Sequence, residues 1–264
     1  MPTYQKIVWI GLAVTAIAIL VLGYFLFLAP RADRKAATLP ETTSLATPRP
    51  EAASETGEQA EPGIVPLDLE LDRSDEAVRE VVASAEIPAA MKGWLQQKEI
   101  VRTVVAAVDG IARGESPAPH LSFLAPAEKF SVSEKGGTPF LDPRSFRRYD
   151  PLVAAFTAVP DRTWATWYKT LRPTLEKAFR ELGYPGVTFA QRLQQAVEHL
   201  TQVPVIRKDI ALEKKVLSYA FADAELENLS GAQKHLLRLG PGNVARVQGK
   251  LRSLAALLRL SGKD

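Results

Sequence analysis

The chain has 264 residues, of which 46% are hydrophobic and 24% are charged, and its formal net charge is +3. Both fractions are ordinary for a folded protein, and the small net charge is weak support for a polyanionic partner. The chain has no cysteine, which excludes disulfides, thiol nucleophiles and cysteine-based zinc or iron–sulfur sites.

A long uncharged segment lies near the amino terminus. Residues 7–28 contain no charged side chain, and as a helix they would span about 33 Å, close to the hydrocarbon thickness of a bilayer. Trp9 and Tyr24 lie near the two ends of this segment, where interfacial aromatic residues are common. The sequence therefore predicts a transmembrane anchor in residues 1–30 that contacts the lipid bilayer through residues 7–28.

Two arguments about the orientation of this anchor disagree. Lys6 and the terminal amine precede the segment, whereas Arg31, Arg34 and Lys35 follow it. This excess of positive charge after the segment favours a cytoplasmic body. A very short amino-terminal tail, in contrast, commonly stays inside while the rest of the chain is exported. We expect export, and a cytoplasmic body is the alternative.

The next two regions differ in composition. Residues 31–66 are rich in Pro, Ala, Thr and Glu and have no apolar periodicity, which predicts a disordered linker. Residues 67–264 have the periodicity of a helical globular domain. At its start, residues 67–72 alternate apolar and acidic side chains, which is typical of a strand; an extended lead-in is the favoured alternative. Ser74 is the predicted N-cap of the first helix.

Two amphipathic stripes predict long helices. Residues 91–114 place five apolar side chains on one face and end at a glycine. Residues 161–182 carry a second stripe, in which Pro173 should introduce a kink. Trp164, Trp167 and Tyr168 of that stripe are expected in the core, and a platform for stacking sugar rings is the alternative.

Turn and capping signals complete the predicted fold. The glycine pair at 136–137 predicts a β-hairpin. The pattern of residues 210–221 fits two short strands but does not single out one type of element. The fold class is thus mainly α: a transmembrane helix, a disordered linker, and a compact multi-helix body with one or two short β-hairpins. Side chains with the chemistry and position of helix N-caps are found at six places: Asp142, Asp150, Asp161, Thr188, Asp223 and Ser230.

A basic helical hairpin is predicted near the end of the chain. Gly240 and Pro241 should form its corner, Asn243 should cap the second helix, and residues 244–258 carry an apolar seam that fits the body or a second chain. No acid occurs in residues 228–263. Four cations are expected to face outward as a binding surface, or as a solvated face balanced by acids of the body: Lys234, Arg238, Arg246 and Lys250.

The residues that could carry chemistry are few. His120, His199 and His235 lack metal-ligand spacing. Asp150, Asp161, Asp223 and Glu227 are possible acids or bases, but three of these four occupy N-cap positions, which favours a structural role. The sequence therefore predicts no catalytic, cofactor-binding or metal-binding residue.

Five separate sequence segments resemble those of a known family. This chain resembles a bacterial family of single-span membrane proteins described only as a domain of unknown function, over residues 67–254. The resemblance implies one envelope-associated domain behind an amino-terminal span, and no activity. The segments are LDRSDEAVRE at 71–80, VDGIARG at 108–114, RRYD at 147–150, FRELGYP at 179–185 and ADAELENLSGAQKHLLRLGPGN at 222–243.

These observations lead to one expected function and two alternatives. We expect a single-pass protein of the bacterial inner membrane whose periplasmic helical body binds a protein or an anionic envelope partner, or scaffolds an envelope complex. The first alternative is an envelope hydrolase acting on wall material. The second is a membrane-anchored DNA-binding regulator that uses the basic hairpin, because two helices joined by a short glycine turn resemble a helix-turn-helix.

Overall fold

The computed structural model describes residues 64–216 and 218–259, which contain ten α-helices, two short 3₁₀ helices (Leu71–Arg73 and Ser122–Leu124) and two β-hairpins. The helices are α1 (Ser74–Ala83), α2 (Ala89–Trp94), α3 (Ile100–Ala112), α4 (Pro143–Arg147), α5 (Asp150–Ala158), α6 (Asp161–Arg180), α7 (Phe189–Thr201), α8 (Ala224–Glu227), α9 (Gly231–Leu237) and α10 (Pro241–Leu257). The strands are β1 (Val132–Lys135), β2 (Thr138–Leu141), β3 (Leu212–Lys214) and β4 (Tyr219–Phe221). The predicted mainly helical body with short hairpins is confirmed.

Two hydrophobic clusters form the interior. The first is built by α1, α2, α3, α5, α6 and the start of α7, with Val105 and Phe179 each 1% exposed. The second is built by the hairpins, α9 and the start of α10, where Val244 is completely buried. α5 contributes to both clusters, through Ala155 and Val153. The first cluster is therefore enclosed by helices, and the second is formed largely by the hairpins together with α9 and α10.

The two hairpins are antiparallel and adjoin each other. In the first, Lys135 lies opposite Thr138, so that Gly136 and Gly137 form a two-residue turn with φ of 57° and 80°. Positive φ at both central residues is the requirement of a type I′ turn, which glycine meets without strain. β3 pairs with β4, and a bridge between Phe140 and Ala211 brings the second hairpin beside the first.

Several predicted helix ends are confirmed. Asp142 caps α4 and Asp223 caps α8 by accepting backbone N–H groups. Thr188 and Ser230 form complete capping boxes at the starts of α7 and α9. Gly114 follows the end of α3 with a φ of 81°. These signals are local in sequence, which explains why they could be identified there.

The predicted helix over residues 91–114 is wrong in one respect, because it is two helices, α2 and α3. Glu99 has a φ of 53° and separates them. The Asp75 carboxylate on α1 accepts from the N–H groups of Glu99 and Ile100, both at 2.9 Å, and so caps α3 from another helix. Arg79 donates to the Leu95 carbonyl oxygen at 2.7 Å inside the break. Contacts distant in sequence thus override the helical periodicity.

Four further capping assignments are wrong. α1 begins at Ser74, whose hydroxyl donates to the Leu71 carbonyl at 2.8 Å instead of capping the helix. α5 begins at Asp150, and its carboxylate accepts from the Asn243 amide at 2.7 Å. Asp161 is likewise the first helical residue of α6 instead of its N-cap. Asn243 is buried inside α10 and does not cap it. Asp150 and Asn243 instead join α5 to α10.

The segment before α1 is an extended lead-in without strand pairing, which ends in a 3₁₀ turn at Leu71–Arg73. Leu67 and Leu69 donate backbone N–H groups to the Thr170 carbonyl at 2.7 Å and the Thr174 hydroxyl at 3.0 Å. Thr174 in turn donates to the Leu67 carbonyl at 2.7 Å. The alternation of residues 67–72 is therefore explained by one side of the lead-in packing on α6, and the strand interpretation is wrong.

The predicted anchor (1–30) and nearly all of the predicted linker (31–66) lie outside the described residues. Within residues 64–216 and 218–259, none of the helices combines the length and the hydrophobicity that a membrane crossing requires.

The corner between α9 and α10 has a tightly constrained glycine. Gly240 has a φ of 82° and a ψ of 161°, a region that is essentially restricted to glycine. A Cβ atom at this position would lie 2.4 Å from Cγ of Phe146. The predicted corner at Gly240 and Pro241 is confirmed, and the contact with Phe146 adds a second reason for glycine.

We predict that Gly240→Ala lowers the free energy of unfolding by about 2–5 kcal/mol, because backbone strain and overpacking against Phe146 add together. Gly242→Ala is the matched control, since Gly242 lies inside α10 and a Cβ atom added there would have nothing within 4 Å; it should be neutral or stabilising by up to about 1 kcal/mol. Urea unfolding followed by circular dichroism measures both. Equal effects of the two changes would contradict the constraint.

Candidate functional site

A large apolar cavity of about 590 Å³ lies between the helices of the described residues. Every lining residue is Val, Ile, Leu, Met, Ala, Phe, Trp or Tyr, so no charged or amide side chain faces it. Its walls come from α1, α2, α3, α5, α6, α7 and α10, and from the loop after α3 through Leu121, Phe123 and Leu124. Val104, at 41% exposure, marks where the lining reaches solvent.

Aromatic rings form one wall of this cavity. Trp164 and Trp167 are in edge-to-face contact, with ring centroids 5.1 Å apart, and Trp164 also contacts Phe156 at 5.5 Å. The Trp164 indole N–H donates to the Phe156 carbonyl at 3.3 Å. Because that donor is already used by the backbone, it is not offered to a sugar hydroxyl. The rings are therefore better suited to an apolar ligand than to the predicted alternative of a sugar platform.

The apolar seam of α10 faces the body. Val244 at its start is buried in the second cluster, while Val247, Leu251, Leu254 and Leu258 line the cavity. Among the described residues, the seam thus has a packing surface within its own chain. Sequence reasoning identified the seam from its spacing of three and four residues, but not the cavity that it borders.

The four predicted binding cations do not form one outward face. Lys250 has a side chain only 8% exposed and pairs with Asp161, so its predicted outward orientation is wrong. Lys234 pairs with Glu227 at 2.9 Å, and Arg246 donates to the Thr157 hydroxyl at 2.9 Å.

Arg238 differs from the other three cations. It stacks over the Phe221 ring, 5.6 Å from its centroid, and lines a second pocket beside Arg148, Lys214 and Lys215. Of the four predicted residues, it is the one that the structure brings together with other cations. The partners of Arg238 in this pocket come from distant segments, which the sequence alone did not indicate.

The four candidate acids each have a local role. Asp223 caps α8, Asp150 accepts from Asn243, and Asp161 holds Lys250 and Ser253. The hydrogen bond from Lys250 lowers the pKa of Asp161, and the hydrogen bond from Lys234 lowers that of Glu227. Neither of the two pockets described above is lined by an acid. Ionised, hydrogen-bonded carboxylates of this kind are typical of structural positions.

The histidines are distributed over separate places. Nε2 of His199 lies 2.7 Å from the Ser230 hydroxyl, and Nδ1 of His235 lies 3.4 Å from that of Ser116. His120 is exposed. Within the described ranges, no group of three His, Asp or Glu side chains is arranged to hold a metal ion.

A buried charge cluster escaped the sequence analysis. The Asp109 side chain on α3 is 5% exposed and contacts Arg113 Nε at 2.9 Å and Arg192 Nε at 3.0 Å. The Arg192 approach is an ion pair whose angle departs from that of a hydrogen bond. Tyr184 donates its hydroxyl to Asp109 at 3.2 Å, and its ring centroid lies 4.7 Å from the Arg192 guanidinium. The cluster joins α3, α7 and the turn between α6 and α7.

One sequence signal could have revealed this cluster. In VDGIARG, the acid at 109 lies between Val108 and Ile111 on an apolar helix, and a charge in such a place requires a partner. Arg113 lies four residues further on, but the second partner, Arg192, is distant along the chain and could not be identified from spacing.

Comparison with known proteins gives the family of this mainly helical domain. A family model described as a protein of unknown function, DUF3014, matches residues 100–255, which is more than half of the chain. The chain belongs to this family, and the resemblance found in the sequence is confirmed to that extent. Neither the curated proteins nor the solved structures include a match to the chain.

We predict that Asp109→Asn lowers the free energy of unfolding by about 3–5 kcal/mol, because it leaves the largely buried Arg192 without its counter-charge. Asp209→Asn is the matched control: Asp209 pairs with Lys135 at the surface, where both side chains are more than half exposed, and it should cost about 0–1 kcal/mol. Denaturant unfolding of both variants tests this. Similar small losses would show that the buried cluster contributes no more than a surface pair.

Proposed function

We propose that this protein is a membrane-tethered helical domain that binds a partner, and that the partner it receives in its apolar cavity is a single long acyl chain. The observation that carries this proposal is the lining: a cavity of about 590 Å³ bordered by apolar and aromatic side chains alone. Ligand pockets in proteins commonly measure about 300–1,000 Å³, and most place a few polar groups to orient a ligand. A lining without charged or amide groups favours a hydrocarbon ligand.

Water is a poor occupant of this cavity. An ordered buried water needs about two to four polar partners, and the charged and amide groups that could supply them do not line the cavity. Because the cavity opens to solvent near Val104, its apolar walls are left in contact with water, at a cost of about 25 cal/mol per Å² of apolar surface. An apolar chain removes that cost by restoring contacts along the walls.

The expected affinity follows from the number of methylenes buried. Each buried methylene contributes about 0.8 kcal/mol, so about twelve would contribute about 10 kcal/mol. Part of this is lost to the entropy of association and to ordering of the chain. We therefore expect micromolar binding, with an affinity that rises with chain length until the cavity is full.

The ligand class agrees with the location expected for the chain. The uncharged run at residues 7–28 supports a single-pass anchor in a bacterial inner membrane, and the composition of residues 31–66 supports a linker to the body at residues 67–264. A tethered body would meet lipids and lipid-linked envelope components continuously. The acyl chain is the shared chemistry of those partners.

The two alternative functions have weaker support. A hydrolase would need an acid in a cleft, and Asp150, Asp161, Asp223 and Glu227 are each engaged with a partner side chain or a helix start. A DNA-binding hairpin would need its cations available to phosphates, and Lys234 and Lys250 are ion-paired within the chain.

A large side chain introduced into the cavity should prevent ligand binding. Ala255→Phe places a large side chain from α10 into the lining, and we expect it to weaken binding of a fluorescent fatty acid at least tenfold while the circular dichroism spectrum stays helical. Ala256→Phe is the matched control, because Ala256 is exposed on the same helix and its replacement should leave binding unchanged. Binding that is unaffected by Ala255→Phe, or absent from the parent protein, would contradict the proposal.

The membrane orientation is tested separately. A fusion of alkaline phosphatase after Pro66 should be active in bacteria, because the body is proposed to be exported and this enzyme matures only outside the cytoplasm. A reporter active only in the cytoplasm, fused at the same residue, is the control. An inactive phosphatase together with an active cytoplasmic reporter would assign the body to the cytoplasm instead.

A further inference from the structure

The second pocket, beside the β3–β4 turn, combines positive charge with exposed apolar surface. It has a volume of about 510 Å³, and four cations and two aromatic rings line it without any acid: Arg148, Lys214, Lys215, Arg238, Phe130 and Tyr219. These residues come from the loop before β1, from the end of α4, from the second hairpin, and from the end of α9. The fold thus gathers four separate segments into one basic surface.

The two arginines are held by rings more than by acids. The Arg148 guanidinium lies 5.6 Å from the Phe130 centroid and 4.9 Å from that of Tyr149. It donates to the Ser145 carbonyl at 3.0 Å, the Glu128 carbonyl at 3.4 Å and the Tyr149 hydroxyl at 3.3 Å. The Arg238 guanidinium lies over Phe221 and has no hydrogen bond or ion pair with another described residue. Stacking fixes the Arg238 guanidinium while leaving its N–H donors available to phosphate, and Arg148 retains the N–H groups that its hydrogen bonds within the chain do not use.

Nearby acids neutralise this surface only in part. Lys215 pairs with Glu213 at 2.7 Å, and Glu227 pairs with Lys234 at 2.9 Å. The side chains of Lys214 and Arg238 have no carboxylate partner among the described residues. The excess of positive charge also acts on a neighbouring histidine. Burial lowers the pKa of His235, and the nearby Arg238 and Arg148 lower it further.

Two large apolar side chains are exposed among these cations. Val216 at the tip of the turn is 97% exposed, and Phe130 is 39% exposed. A soluble anion such as phosphate would gain nothing from them. A bilayer surface would, because its interface accepts apolar side chains while its headgroup phosphates attract Lys and Arg.

We propose that this surface docks the body onto a bilayer containing anionic phospholipids, with the four cations at the headgroup phosphates and with Val216 and Phe130 entering the interface. This docking is independent of what the apolar cavity binds. It adds a second attachment of the body to the membrane and so limits the positions that a tethered body can adopt.

The absence of cysteine from the chain gives a direct test. Val216→Cys in the full-length protein is labelled with an environment-sensitive fluorophore and incorporated into nanodiscs of phosphatidylcholine, alone or mixed with phosphatidylglycerol. We expect a blue shift of the emission, and quenching by a lipid-borne quencher, only with phosphatidylglycerol. Leu182→Cys, on the turn after α6 and 43% exposed, is the matched control and should report water in both.

A charge-removing variant completes the experiment. Lys214→Gln, Lys215→Gln and Arg238→Gln introduced together should reduce the Val216→Cys response roughly tenfold or more, while circular dichroism shows an unchanged fold. A label that remains in water, or that responds equally in the two kinds of nanodisc, would overturn the proposal. Loss of the response on adding inorganic phosphate at constant ionic strength would also overturn it, because the site would then bind the free ion. Failure here leaves fatty-acid binding by the cavity as a separate measurement.

Discussion

The buried carboxylate of Asp109 constrains the arrangement of the helices more than any other polar contact described above. It draws Arg113 of its own helix, Arg192 of α7 and the Tyr184 hydroxyl to one point. A charge so little exposed is tolerated only with partners, so α3 and α7 can approach each other in one register. Because Phe179 and Tyr184 stack with each other and flank Arg192, α6 is fixed to the same point.

That register determines the cavity. Asp109 and Arg192 are each next in sequence to a cavity residue, Val108 and Leu193. Successive residues on a helix point about 100° apart, so the ion pair lies on the flank of the two walls and holds them without entering the apolar space. An apolar cleft of this size is ordinarily lost by collapse of its walls, because proteins pack closely. Here the ion pair between Asp109 and Arg192 holds α3 and α7 in place, and the apolar seam of α10 supports the opposite side of the cavity.

The parts of this structure that could be predicted from the sequence are those with local causes. Capping boxes at Thr188 and Ser230, the glycine pair at 136–137 and the corner at Gly240 each depend on a few adjacent residues. The break before α3 could not be predicted, because it depends on Asp75 from another helix. The same holds for the two pockets: the stripes of α6 and α10 were recognised as apolar, but periodicity does not distinguish a side chain in a packed core from one lining a cavity.

The acid-free stretch at residues 228–263 shows why a charge pattern along the chain is a weak guide to a binding face. Its cations find their counter-charges in other segments: Lys250 on Asp161, and Lys234 on Glu227 just before the stretch begins. Arg238 is different because its neighbours in space are an aromatic ring and further cations. What distinguishes a cation available for a partner is therefore the lack of a carboxylate in direct contact with it in the folded chain, and the count of basic residues in the sequence does not contain that information.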